Sequence, residues 1–183
     1  MNQLKNIQAA LLAASLLAMP AAYATTMTQA DYKAGKTRIS ADYKTDDAAC
    51  ASLKANAKDV CVQEAKAKQK VALADLEYGY TGKAADRTKV LVAKAESAYA
   101  VAKERCDDQS GNAKDVCVKE AKAAETKALA DAKLGKEIGE AKKDAAADLR
   151  DADYKVAAEK CDALAGEPKA NCVSAAKAKF GKS

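Results

Sequence analysis

The spacing Tyr-x6-Cys-x10-Cys occurs three times in the chain, and it constrains the fold more than any other feature of the sequence. Successive copies are offset by 56 and then 55 residues, and together they contain all six cysteines. A fixed period of this length is typical of a repeat protein in which each unit is one supersecondary element. The three copies are Tyr43/Cys50/Cys61, Tyr99/Cys106/Cys117 and Tyr154/Cys161/Cys172.

Each unit contains turn signals between its two cysteines. In the second copy, residues 107–112 read Asp-Asp-Gln-Ser-Gly-Asn, and Gly111 can adopt the positive φ that ends a helix. Asn112 is then expected to be the N-cap of the next helix, with Asp115 near the positive end of the helix dipole. Apolar residues recur every three or four positions on both sides of the turn, which is helical spacing. Each unit is therefore predicted to be an αα-hairpin.

The two cysteines of a unit flank the turn, and a hairpin would bring them together. Six cysteines allow 15 connectivities. The hairpin geometry favours pairing within each unit, and closing a loop of this size contributes on the order of 3 kcal/mol. The repeat tyrosines are expected to pack over the seam between the arms, whereas Tyr32, Tyr78 and Tyr80 are candidates for an exposed surface. The predicted disulfides are Cys50–Cys61, Cys106–Cys117 and Cys161–Cys172.

Composition sets the fold class. From residue 25 onward the chain has 39 alanines and 26 lysines, but only 21 leucines, valines, isoleucines and phenylalanines combined. Alanine and lysine are strong helix formers, although alanine buries little apolar area. We therefore predict an all-α fold of three disulfide-clamped αα-hairpin repeats in an elongated, largely antiparallel helical arrangement. The joints at Gly79–Gly82 and Gly135–Gly139 can either bend or continue as helix.

The first 24 residues have the pattern of a cleavable secretory signal. Lys5 precedes an apolar stretch at residues 7–19, and a small-residue site ends at Ala24. The stretch is shorter than the roughly 20 residues of a membrane-spanning helix. We expect cleavage after Ala24 and a periplasmic mature chain with no transmembrane segment. The predicted organisation is a signal peptide at 1–24 and hairpin repeats at 25–82, 83–139 and 140–183, the last one truncated, within one continuous repeat domain at 25–183.

The sequence offers little for catalysis or metal binding. It contains no histidine, the commonest general base and transition-metal ligand. The cysteine spacing lacks the short C-x2-4-C motif of structural zinc sites. The acidic pairs Asp46-Asp47 and Asp107-Asp108 lie beside turns, where aspartate is common. We therefore expect no enzyme activity, no catalytic residues, no cofactor-binding residues and no metal ligands.

Lysine is abundant, but acidic residues are interspersed with it. Pairs such as Glu64–Lys68 and Asp115–Lys119 have the i,i+4 spacing of a solvated helix face. A nucleic-acid site needs clustered basic charge that is not neutralised nearby, usually together with aromatic platforms. We therefore expect no nucleic-acid partner.

The runs Ala-Lys-Glu-Arg-Cys-Asp-Asp at 102–108 and Gly-Asn-Ala-Lys-Asp-Val-Cys-Val-Lys-Glu-Ala-Lys-Ala at 111–123 resemble a group of alanine- and lysine-rich envelope proteins of Gram-negative bacteria. Members of this group are often labelled TolA-like. The resemblance implies a role in the cell envelope and transfers no catalytic residues. We expect a structural or interaction protein with protein partners in the envelope. The alternatives are a periplasmic stress protectant or holdase-like factor, and a redox- or metal-responsive sensor.

Overall fold

The computed structural model describes residues 27–182, and every regular element in that range is a helix. The elements are α1 (Gln29–Ala49), a 3-10 turn (Cys50–Ser52), α2 (Ala55–Thr81), α3 (Ala84–Cys106), α4 (Gly111–Cys161) and α5 (Gly166–Phe180). None of these helices combines the length and the apolar composition needed to cross a bilayer.

Local sequence chemistry explains where α1 begins. Thr28 is its N-cap, and the Thr28 hydroxyl accepts a hydrogen bond from the backbone N–H of Asp31 at 3.1 Å. The Asp31 carboxylate accepts one in return from the backbone N–H of Thr28 at 3.3 Å. This reciprocal capping box satisfies two backbone donors that would otherwise have no partner at the helix start.

The helices form an open antiparallel layer. Within residues 27–182, each helix packs only on the helix before it and the helix after it along the chain. The buried apolar residues are few and mostly small, which matches the alanine-rich composition. They are Ile39, Cys50, Ala65, Val90, Ala93, Ala95, Cys106, Ala132, Cys161 and Ala176. The predicted all-α, elongated and antiparallel hairpin architecture is confirmed.

A glycine allows the first two helices to approach closely. Gly35 is buried within α1, and a Cβ atom at this position would lie 2.7 Å from Cδ1 of Leu76 on α2. Contacts this short do not occur between packed side chains, so any larger residue would force Leu76 to move. The first hairpin is therefore packed by a leucine seated over a glycine.

The two inter-repeat joints differ. At the first joint, α2 ends at Thr81, and its C-cap Gly82 is left-handed with φ of 63°. The Gly82 N–H donates to the carbonyl of Tyr78 at 2.8 Å. The chain reverses there, and α3 packs back along α2. At the second joint, Gly135 and Gly139 lie inside α4, which continues for 51 residues. The second arm of the middle repeat and the first arm of the last repeat are therefore one helix.

One prediction about the hairpin tips was wrong. Asn112 is the second residue of α4 rather than its N-cap, a position that Ser110 occupies. The turn after Cys106 is short, because the Gln109 N–H donates to the Cys106 carbonyl at 3.0 Å, and α4 then begins at Gly111. This tight turn places the positive φ of Gly111, 56°, at the start of the next helix.

Candidate functional site

The six predicted disulfide cysteines are paired as expected. Cα–Cα separations are 5.6 Å for Cys50–Cys61 and 5.7 Å for both Cys106–Cys117 and Cys161–Cys172. The first cysteine of each pair is fully buried, and no cysteine in the described part of the chain is free. The disulfides therefore act as internal links at the three hairpin tips. The predicted cleavage site at Ala24 lies outside the described residues.

The seam of the middle hairpin contains a polar group beside its tyrosine. Lys122 on α4 places its Nζ 5.0 Å from the ring centroid of Tyr99 on α3. The same ammonium donates to the buried carboxylate of Glu125 at 2.6 Å, which raises the pKa of Lys122. Tyr99 is half-buried, so it packs over the seam as expected. The Tyr99 ring therefore covers the ion pair between Lys122 and Glu125, and this arrangement is structural.

A tyrosine cluster, consisting of Tyr32, Glu77 and Tyr80, lies at the end of the layer opposite the first two disulfides. The rings of Tyr32 and Tyr80 stack with centroids 4.6 Å apart. The Tyr32 hydroxyl donates a hydrogen bond to the Glu77 carboxylate. This hydrogen bond, together with burial, raises the pKa of Tyr32. The cluster fixes the start of α1 against the end of α2.

A buried aspartate lies at the turn between α2 and α3. Asp86 is 5% exposed, and its carboxylate accepts a hydrogen bond from the Thr81 hydroxyl at 2.6 Å. The Lys89 ammonium lies 2.8 Å from the same carboxylate. The bonds from Lys89 and Thr81 lower the pKa of Asp86, and Asp86 in turn raises the pKa of Lys89. Asp86 therefore links the end of α2 to the first turn of α3 and holds the chain reversal.

These clusters consist of polar groups that satisfy one another. Glu77, Asp86 and Glu125 each accept a hydrogen bond from a named side chain of this protein. Within residues 27–182, no three acidic or cysteine side chains are grouped in a way that could hold a metal ion. The spaces between helices are open grooves, such as one of about 370 Å³ between the start of α3 and residues 132–143 of α4. The arrangement provides helix surfaces and shallow grooves for binding.

The sequence does not predict the tyrosine cluster or the role of Asp86. Tyr32 and Tyr80 are only separate surface candidates in the sequence, because 48 positions separate them. Their stacking depends on the register between α1 and α2, which the Leu76–Gly35 contact helps to set. The sequence does predict a turn at Thr81-Gly82, and Thr81 of this turn donates its hydrogen bond to Asp86.

Comparison of the chain with protein-family models, with curated proteins and with solved structures finds no match.

Proposed function

We propose that this protein is a non-enzymatic helical scaffold of the bacterial periplasm whose exposed helix faces bind other components of the cell envelope. The observation that supports this most strongly is the open layer, in which each helix of the described part of the chain packs only on its sequence neighbours. Such a layer leaves both faces of its inner helices accessible. Helical repeat proteins commonly use extended surfaces of this kind for binding.

The middle of α4 adds to this accessible surface. Residues 133–146 are all exposed. On one side, the groove with α3 extends only to Lys143. On the other side, Lys182, which follows α5, pairs with Asp151. A stretch of helix between the two hairpins is therefore open to solvent over most of its circumference, as a connecting or docking element requires.

The periplasmic location is the compartment in which three disulfides would persist, because cytosolic thiols are kept reduced. A cleavable signal at residues 1–24 would deliver the chain there. Mass spectrometry of the protein recovered from a periplasmic extract without reductant tests this point. We expect the mass of a chain that begins at Thr25 and lacks six thiol hydrogens. A chain that retains residues 1–24, or that carries free thiols, would contradict the proposed location.

Site-specific photocrosslinking in intact cells tests the proposed interactions. A photoreactive amino acid would be placed at Lys66 on α2, Lys94 on α3 and Lys143 on α4, each of which is exposed. The matched control is Asp108, exposed in a hairpin turn. We expect discrete covalent adducts with other envelope proteins from at least one helix position and none from the turn. No adduct at any of the three helix positions would contradict a scaffold role. Suppression of client aggregation by the purified protein, without such adducts, would favour the holdase-like alternative.

A further inference from the structure

One face of the second half of α4 carries a stripe of exposed apolar side chains. Four of its residues are large: Leu134 is 54% exposed, Ile138 47%, Leu149 67% and Val156 55%. Exposed alanines fill the intervening turns. At 3.6 residues per turn, all seven side chains fall within an arc of about 80°. The α4 stripe consists of Leu134, Ile138, Ala141, Ala145, Leu149, Ala152 and Val156.

The α4 stripe faces away from both neighbouring helices. Ala132 is buried where α4 packs on α3, and Tyr154 contacts Phe180 of α5 edge-on. Cys161 is bonded to Cys172 of α5. These three residues lie about 140° to 180° around the helix from the centre of the stripe. Neither α3 nor α5 therefore covers the stripe.

The spacing of the α4 stripe is the same when read from either end. Its steps are 4, 3, 4, 4, 3 and 4 residues, centred on Ala145. A second copy of α4, antiparallel and related by a two-fold axis at Ala145, would therefore place apolar residues opposite apolar residues throughout. Between the two ends of the stripe, each large residue faces an alanine in this register, so the two helices can approach closely there. The facing pairs are Leu134 with Val156, Ile138 with Ala152, Ala141 with Leu149, and Ala145 with Ala145.

Charges beside the stripe support the antiparallel direction. In an antiparallel pair, the residue that precedes a stripe position on one helix lies beside such a residue on the other helix, and the same spacing extended by four residues to position 160 makes Glu159 a flanking residue as well. Opposite charges meet toward the ends of the stripe, and like charges meet near its centre. The flanking pairs are Lys133 with Glu159, Glu137 with Lys155, and Asp144 with Asp148. Each occurs twice in a two-fold dimer, which gives four attractive contacts and two repulsive ones.

A parallel pair has no net attraction of this kind. Flanking residues five positions apart on the two helices would then meet, as in a parallel coiled coil. One type of contact would be attractive and one repulsive. These contacts are Glu137 with Lys142 and Asp148 with Asp153.

We propose that α4 binds α4 of a second copy of this chain, antiparallel and across the α4 stripe, to form a two-fold symmetric dimer. The stripe is self-complementary, as an isologous interface requires. Its six steps cover 22 residues, or about 3.7 residues per step, so the two helices can pair along the whole stripe while staying nearly straight. The dimer would extend the open layer of helices, and it does not depend on the proposed envelope function.

Sedimentation equilibrium of the oxidised mature protein, between about 1 µM and about 1 mM, tests the dimer. We expect the mass to rise from monomer to dimer and no further. Leu149→Glu places two charges in the interface at a residue that is already exposed, and we expect at least tenfold weaker association. Val116→Glu is the matched control, because Val116 is 44% exposed on the same face of α4 but lies outside the stripe. It should associate like the wild type.

Two charge variants test the direction of pairing. Lys155→Glu should weaken an antiparallel dimer severalfold by facing Glu137, and adding Glu137→Lys should restore it. In a parallel dimer the single change would leave association unchanged, and adding Glu137→Lys would weaken it through Lys142. Circular dichroism would confirm that each variant keeps its helix content. The proposal is overturned by a protein that stays monomeric throughout, by association that Leu149→Glu leaves unchanged, or by association that Lys155→Glu does not weaken.

Discussion

Equivalent residues at the three hairpin tips adopt a left-handed backbone conformation. They are Ala55, Gly111 and Gly166, with φ of 49°, 56° and 65°. Glycine adopts this conformation without steric cost, whereas the Cβ of an L-residue makes it unfavourable by roughly 1–2 kcal/mol. The first tip is therefore strained at Ala55, and the other two tips are not.

Ala55→Gly is expected to stabilise the protein by about 1 kcal/mol, because it removes this strain. Gly111→Ala should destabilise it by a similar amount for the opposite reason. Thermal unfolding followed by circular dichroism measures both changes. Ala57→Gly, inside α2, is the matched control and should destabilise by about 0.5–1 kcal/mol. If Ala55→Gly destabilised as much as Ala57→Gly, the left-handed assignment at the tip would be contradicted.

Asp86 gives the fold a sensitivity to acid. Because the folded-state pKa of this carboxyl lies below its ordinary value of 3.8, the charged form stabilises the native state at neutral pH. This stabilisation is lost as the pH falls below about 4 and through the lowered pKa. Asp86→Asn should therefore have a lower melting temperature at pH 7 and a smaller further loss between about pH 5 and about pH 2.

Thr81→Val serves as the partial variant in this test, because it removes the hydroxyl that donates to Asp86 but leaves Lys89 in place. The melting temperature of Thr81→Val at pH 7, and its further loss in acid, should lie between those of the wild type and Asp86→Asn. Melting temperatures measured across the acid range give the comparison. Parallel acid profiles for all three proteins would show that Asp86 does not couple folding to pH.

At the level of the helical elements, sequence analysis predicted the hairpins and the disulfide pairing, because both follow from local spacing. The joints could not be decided in this way. Gly82 adopts positive φ and ends α2, whereas Gly135 and Gly139 do not adopt it and lie in open space within α4. A glycine adopts positive φ and the negative φ of a helix almost equally well, so tertiary packing decides whether the helix ends or continues there. At the first joint, Asp86 and the packing of α3 against α2 hold the reversal.

The element that depends most on its disulfide is α5. Among the helices between residues 27 and 182 it packs on α4 alone, through small buried residues such as Ala176, the edge contact between Tyr154 and Phe180, and the Lys182–Asp151 ion pair. Alanine contacts contribute little, so the roughly 3 kcal/mol of the disulfide is a large share of what holds this helix.

The double substitution Cys161→Ala with Cys172→Ala should therefore allow α5 to detach from α4. Amide hydrogen exchange is expected to become fast across residues 166–180 while residues 84–106 stay protected. The matched control is Cys106→Ala with Cys117→Ala. In that variant α3 should keep most of its protection, because α2 also packs on it. Wild-type protection of α5 in the first variant would show that packing alone holds the last hairpin.

At the scale of the whole molecule, the protein is an open layer of helices joined by one long helix. With 51 residues, α4 is about 75 Å long. A compact domain of this chain length would have a radius of gyration of about 15 Å. Elongation follows from composition, because an alanine-rich chain has too few large side chains to close its helices around a common core.

Small-angle X-ray scattering of the oxidised mature protein, in dilute solution where it is monomeric, tests this claim most directly. We expect a maximum dimension of at least about 75 Å, set by the length of α4. The radius of gyration should be well above the roughly 15 Å of a compact domain. Gly135→Pro with Gly139→Pro, which would break α4 between the two hairpins, should change the scattering profile. A radius of gyration near 15 Å for the wild type would contradict the continuous helix and the open layer built along it.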